Sequence, residues 1–191
     1  IPFIFSKHSK RKNIGEFIIG FSLLFLGIEF MKDSIPDINN YPHVLEFISQ
    51  YSNMGYGSVL LFVLIGTILT LIVQSSSATM AITLLMCSQG WISFEVGAAM
   101  VLGENIGTTI TANLAAAVAN RTAKRAALSH LVFNVIGVIW MLIVFYPFLK
   151  LVAYITVMAE GVSPYISAAA IPVALSTFHS LFNITNTLIM V

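Results

Sequence analysis

The first residues able to do chemistry form a polar run inside an apolar stretch, Gln74-Ser75-Ser76-Ser77, with Thr79 close behind. Hydroxyl and amide groups both donate and accept hydrogen bonds, so the run could hold an anion or a cation. If the chain breaks here between two helices, the backbone N–H groups starting the second helix favour an anion, and the carbonyls ending the first favour a cation. A packed helix interface explains one serine, but three serines beside a glutamine favour a binding site.

The second candidate group is a mixture of glycines and oxygen-bearing side chains at residues 103–109. Its glycines lie four positions apart, which weakens a helix and predicts a break there. Its oxygen donors suit a hard cation or an oxyanion: Asn105, Thr108, Thr109 and the following Thr111. The alternative is a Gly-xxx-Gly groove that packs against another helix, and the neighbouring polar residues favour a binding function.

Glu104 is the carboxylate of this second group and lies near the middle of an apolar segment. An ionisable group at membrane depth is a functional candidate, and we assign Glu104 to ion coupling. Arg121 cannot pair with it, because their separation along a helix is about 25 Å. Protonation, a histidine partner and a bound cation remain open.

Two further segments repeat a pattern of histidine and asparagine one helical turn apart, His130 with Asn134 and His179 with Asn183. Each pair shares one helix face. Hydrogen bonding between helices is the favoured interpretation, ahead of ligand binding.

The elements that must position these groups are membrane helices. Apolar residues make up 58% of the 191 positions and charged residues only 9%, against about 25% in soluble domains. Nine basic against eight acidic residues exclude a nucleic-acid binder, and the single Cys87 excludes a disulfide framework or a cysteine-based zinc site. We therefore predict an all-α integral membrane protein, with residues 1–191 as a single transmembrane region of a longer chain.

The apolar runs predict where the membrane segments fall. Transmembrane helices are expected at residues 14–31, 94–119 (broken), 126–146 and 165–191. Residues 58–88 are anomalous, because one helix would measure about 46 Å while two full spans need about 40 residues. Two half-length helices meeting at the polar run, a re-entrant hairpin, fit this length. A short interfacial helix is expected around residues 43–51.

The basic clusters give an independent test of the hairpin. Residues 7–12 and 121–125 should both be cytoplasmic. A single span at residues 58–88 would place the second cluster outside, whereas a hairpin that enters and leaves on the outer side places it inside. The positions of the basic clusters and the length of residues 58–88 therefore both predict the hairpin.

These features discriminate between three classes of function. No Lys or Arg lies at membrane depth, so a bound anion must be balanced by helix N-termini and co-bound cations, which favours a cation-coupled anion symporter. A membrane-embedded serine hydrolase lacks a G-x-S-x-G elbow and leaves two serines unexplained. A purely structural subunit would not need polar breaks within the membrane.

Three motifs together resemble the type II sodium/phosphate cotransporter family, including its bacterial members: QSSSAT at residues 74–79, GENIGTT at 103–109 and KRAALSHLVFN at 124–134. The resemblance implies sodium-coupled symport of inorganic phosphate across the plasma (inner) membrane, with no enzymatic activity, no cofactor, and sodium as the only metal. It implies that phosphate is bound by Gln74, Ser75, Ser76, Ser77, Asn105, Thr108 and Thr109. Sodium would contact Gln74, Ser75, Ser76, Ser77, Thr79, Asn105 and Thr108. The alternative is a symporter of another small oxyanion.

The family's transport domain consists of two inverted repeats, and this chain resembles the second one. Its partners would be phosphate, sodium, the lipid bilayer and the first repeat with its own QSSS, and a homodimer is compatible with it. Only one QSSS occurs here, so half of the expected site is outside this sequence. Glu104 stands where many members have a small residue.

Overall fold

The computed structural model describes residues 8–34 and 41–191, and these form eight α-helices with no strand among them. Their bounds are α1 Ser9–Ser34, α2 Pro42–Tyr51, α3 Tyr56–Val73, α4 Ser76–Ser88, α5 Phe94–Ala116, α6 Arg121–Ile143, α7 Phe145–Glu160 and α8 Ile171–Met190. A short 3-10 helix, Ala168–Ala170, precedes α8. The predicted all-α membrane fold is confirmed.

Four helices in the described part of the chain are long and apolar enough to cross a membrane: Ser9–Phe30, Tyr56–Val73, Arg121–Ile143 and Ala168–Met190. The first belongs to α1, which forms one compact unit; residues from His43 onward form the other. Helix α5 is also of spanning length, about 34 Å, but its polar residues lower its hydropathy.

The predicted hairpin is present as α3 and α4, which meet at Gln74 and Ser75. Its arms are unequal, because α3 has 18 residues and α4 has 13. The expectation of two half-length helices is therefore wrong for α3. This helix is long enough to cross a membrane alone, since its 18 residues have a mean hydropathy of 2.4 and form one uninterrupted helix.

Helices α3 and α5 run in the same direction with their backbones in close contact. A Cβ placed on Gly66 would lie 2.9 Å from the Cα of Met100, and one on Gly103 would lie 2.7 Å from the backbone nitrogen of Thr67. The hydroxyl of Thr67 also donates a 3.0 Å hydrogen bond to the carbonyl of Gly103. Only glycine permits this approach, so both glycines are packing residues.

Helix α5 continues without interruption through Gly103 and Gly107. The predicted break in this helix is therefore wrong. The glycines do not open the helix, because α3 fills the space that their missing side chains leave. For these two positions, the Gly-xxx-Gly packing interpretation is the correct one.

The later helices differ from the predicted bounds at their ends. Helix α6 begins at Arg121, inside the basic cluster, and ends at Ile143, before Pro147. Pro147 has no N–H to donate to the carbonyl of Ile143, four residues earlier, and the helix is interrupted there: α6 ends at Ile143 and α7 begins at Phe145. Helix α8 begins at Ile171, six residues later than predicted.

The first helices fit the predicted pattern with shifted ends. Helix α1 extends beyond residues 14–31 in both directions, and the short helix expected at residues 43–51 is α2. Lys7, which belongs to the first basic cluster, and residues 35–40 lie outside the described residues.

Candidate functional site

The polar run forms the tip of the hairpin, and its backbone geometry is specific. Gln74 ends α3 in the left-handed conformation, with φ 57° and ψ 23°. Its N–H donates to the carbonyl of Thr70 at 2.8 Å, which closes the last turn of α3. Gln74 is the only non-glycine residue with positive φ in the described ranges. The chain thus reverses sharply here, as the sequence predicted.

Helix α4 begins directly after this reversal with Ser75 as its N-cap. The Ser75 side chain accepts a hydrogen bond from the N–H of Ala78 at 3.3 Å. The N–H groups of Ser76 and Ser77, in the first turn, have no partner within the helix. Gln74, Ser75 and Ser77 are exposed and Ser76 is half-buried. The tip therefore presents amide hydrogens and hydroxyl groups that a ligand can reach.

Contacts of α3 and α4 with α5 show how far along α5 the hairpin tip lies. Gly107 of α5 lies against Thr70 of α3, and Thr83 of α4 bonds Glu104. Because α3 runs parallel to α5 and α4 runs back along it, both registers bring Gln74 and Ser76 to about the level of Thr111. The tip thus reaches the last third of α5.

The predicted oxygen donors on α5 separate into two groups by burial. Asn105 and Thr108 are half-buried. The Asn105 amide nitrogen donates to the carbonyl of Val101 at 2.9 Å, and the Thr108 hydroxyl donates to that of Glu104 at 2.9 Å. The Thr108 hydroxyl hydrogen and one amide hydrogen of Asn105 are used within the helix, and no hydrogen bond of the described residues uses the side-chain oxygen of either residue, so both oxygens remain as acceptors for a cation. Thr108 lies about 4.5 Å below the level of Thr111 along the axis.

Thr79 and Thr109 have no exposed surface in this structure. The Thr79 hydroxyl donates to the carbonyl of Ser75 at 2.9 Å, and the Thr109 hydroxyl to that of Ile106 at 2.7 Å. Both side chains therefore contribute to helix packing here. Thr111, which is among the predicted oxygen donors but not in the ligand set that the family resemblance implies, is half-buried at the level of the tip.

Glu104 is buried, with 3% of its surface exposed. Its carboxylate accepts a 2.7 Å hydrogen bond from the Thr83 hydroxyl of α4. No Lys, Arg or His of the described chain forms an ion pair with it; the ion pairs there are Lys12–Glu16 and His43–Glu46. The partner of Glu104 is thus the Thr83 hydroxyl on the hairpin, and no sequence pattern links these two residues.

The repeated histidine–asparagine pairs do not join helices as predicted. Asn134 donates to the carbonyl of His130 at 3.0 Å, and Asn183 donates to that of His179 at 2.8 Å, each within its own helix. The joining residue is Asn186, which sequence reasoning missed.

Asn186 is fully buried between α6 and α8. Its amide oxygen accepts from the Trp140 ring nitrogen at 3.0 Å, and its amide nitrogen donates to the Phe133 carbonyl at 3.3 Å. Its position one turn beyond Asn183 was the available signal.

The sequence pattern of the Na+/Pi-cotransporter family matches residues 48–178, which include the whole hairpin and α5. The chain belongs to this family. YjbB of Escherichia coli (strain K12), a protein named for inorganic phosphate export, is 31% identical over 153 residues, covering 80% of this chain and 27% of YjbB. YqeW of Bacillus subtilis (strain 168) is 31% identical over 127 residues, covering 66% of this chain and 40% of YqeW.

A mammalian relative matches over a shorter stretch. The sodium-dependent phosphate transport protein 2A of Ovis aries is 45% identical over 80 residues, covering 39% of this chain and 12% of that protein. No solved structure matches the chain. The chain spans less than half the length of each of these three relatives.

Proposed function

We propose that this chain is one of the two repeats of a sodium-coupled phosphate transporter and that the hairpin tip is part of its substrate site. The observation that carries the proposal is the open first turn of α4, where unpaired backbone N–H groups lie beside the exposed Ser75 and Ser77 and the half-buried Ser76. A helix N-terminus of this kind binds phosphate-like anions. Membership of the Na+/Pi-cotransporter family supports phosphate as the anion.

Sodium follows from the charge balance around the tip. Residues 56–116 contain no Lys or Arg, so the hairpin and α5 supply no fixed side-chain cation to offset a phosphate. The last carbonyls of α3, beyond that of Thr70, lack helical partners and are suitable ligands for sodium. The free oxygens of Asn105 and Thr108 have the same chemistry. Co-bound sodium would neutralise the anion and complete its site.

Glu104 has a positioning role in this proposal. Its bond to Thr83 joins α4, which begins with the anion site, to α5, which carries Asn105 and Thr108. A shift of either helix alters this bond, so Glu104 links occupancy of the cation ligands to the position of α4. The rest of the pocket would come from a second QSSS segment in the first repeat.

Under this proposal phosphate enters the cell together with sodium, whereas the name of YjbB describes phosphate export. The test is uptake of radiolabelled phosphate by the full-length protein in proteoliposomes, with sodium or potassium gradients of either direction. We expect uptake to follow an inward sodium gradient and to reverse when that gradient is reversed. Uptake that ignores sodium would contradict the coupling, and a preference for sulfate over phosphate would contradict the substrate.

The same preparation tests the hydrolase alternative. A fluorophosphonate probe labels a serine only when a neighbouring base activates it. We expect no labelling of Ser75, Ser76 or Ser77. Stoichiometric labelling of one of them would replace the transport proposal with an enzymatic one.

A further inference from the structure

A second polar site lies at the opposite end of the hairpin. A cavity of about 180 Å³ opens where the α2–α3 turn meets the first turns of α3, α5 and α7. The polar side chains that line it are Ser52, Asn53, Ser58, Glu95 and Tyr146. Ser58 lies about 24 Å along α3 from Gln74 at 1.5 Å per residue. This Glu95 cavity is therefore distinct from the hairpin tip.

Glu95 is the only charged residue that lines the cavity. It takes no part in either ion pair of the described residues. It lies in the first turn of α5, where the helix dipole interacts favourably with negative charge. Burial, and then the charge of Glu95, raise the pKa of Tyr165 to about 12.

The neutral groups around Glu95 present oxygen atoms. The Ser52 hydroxyl donates its hydrogen to the carbonyl of Ile48. The amide nitrogen of Asn53 donates to the carbonyl of Ser49 at 3.5 Å. Their oxygens are thereby left as acceptors, as in a site for a hard cation. One carboxylate with neutral oxygens balances a single positive charge, whereas calcium sites gather several carboxylates.

We propose that the Glu95 cavity binds one monovalent metal cation of the sodium type. The Glu95 carboxylate is its charged ligand, and the side-chain oxygens of Ser52, Asn53 and Tyr146 are neutral ligands. The site is independent of the proposed transport function, because it shares no residue with the hairpin tip.

The test is equilibrium binding of radioactive sodium to the purified full-length protein, counted as ions per chain. We expect Glu95→Gln to lower the saturating count by one ion. Glu160→Gln, at the exposed end of α7 and away from the cavity, should leave it unchanged. Ser76→Ala changes the hairpin tip alone. If it abolishes sodium binding at the tip, the one ion bound at the Glu95 cavity should still be counted. An unchanged count in Glu95→Gln would overturn the proposal.

A second variant, designed to strengthen cation binding, tests the proposal even if Glu95→Gln does not fold. Asn53 is exposed on the α2–α3 turn, so Asn53→Asp adds a second carboxylate to the cavity without disturbing a packed core. We expect sodium to bind at least about threefold more tightly and calcium to begin to compete, since a nearby negative charge attracts both. Unchanged affinities in Asn53→Asp, or displacement of sodium by choline in the wild type, would contradict the assignment.

Discussion

The hydroxyl of Thr83 donates a 2.7 Å hydrogen bond to the carboxylate of Glu104, and this bond joins the second arm of the hairpin to α5. Both residues are buried, so no water replaces either partner at low cost. The bond lies two turns from the tip, where α4 begins. It therefore couples the placement of the anion site to the helix that carries the cation ligands.

Replacing Thr83 by valine should remove this bond while keeping the shape of the side chain. We expect a loss of about 1–3 kcal/mol in the free energy of unfolding, the cost of leaving a buried acceptor unpaired. The measurement is thermal unfolding of the purified protein in detergent. Thr156→Val is the control, because the buried Thr156 hydroxyl bonds only the Val152 carbonyl of its own helix. Equal losses in both variants would show that the Glu104 contact adds nothing.

Gly103→Ala should separate α3 from α5. The new methyl group would lie 2.7 Å from the Thr67 backbone nitrogen, and backbone atoms cannot rotate away. We expect destabilisation of about 1–3 kcal/mol from overpacking, together with weaker phosphate binding because the tip moves with α3. Gly27→Ala on α1, where nothing lies within 4 Å, should be neutral in both measurements. A fully active Gly103→Ala protein would contradict the backbone contact.

Ser76→Ala tests the tip itself. None of the hydrogen bonds of the described residues uses the Ser76 side chain, so its loss should leave the fold unchanged. We expect weaker phosphate or sodium affinity in proteoliposome uptake, seen as a raised KM. Ser88→Ala, at the other end of α4 and exposed, is the matched control. Identical uptake kinetics in the two variants would remove Ser76 from the site.

Asn186→Ala should loosen the contact between α6 and α8. It removes the acceptor of the Trp140 ring N–H and the donor to the Phe133 carbonyl, and we expect a loss of about 1–3 kcal/mol. Asn183→Ala should cost less, because Asn183 is half-buried and bonds only its own helix. A larger loss in Asn183→Ala would reverse the assignment of the joining residue.

The hairpin and its tip could be predicted from sequence because length and charge both constrain them. No single helix or pair of spans fits the 31 residues 58–88, and the basic residues 121–125 require an even number of crossings there. The Gln74 reversal then lies at the polar run, as expected.

The polar contacts between helices could not be predicted in the same way. Thr83 and Asn186 belong to ordinary helical sequence, and only the rotation of one helix against another brings them to Glu104 and Trp140. The break predicted at the glycines of α5 is wrong for a related reason. A glycine such as Gly103 can weaken a helix or let another helix pack closely against it, and only the position of α3 decides which occurs.

The contact of Gly66 and Gly103 has a mechanical consequence for the hairpin. Two helices that touch through backbone cannot slide past each other by part of a turn, because side chains would meet carbonyl groups. The arm formed by α3 is therefore clamped to α5, and the two must travel as one rigid body. The shorter arm, α4, is joined to α5 by side chains such as Thr83 and Glu104. If one arm of the hairpin flexes during a working cycle, it is α4, with the serines at its leading end.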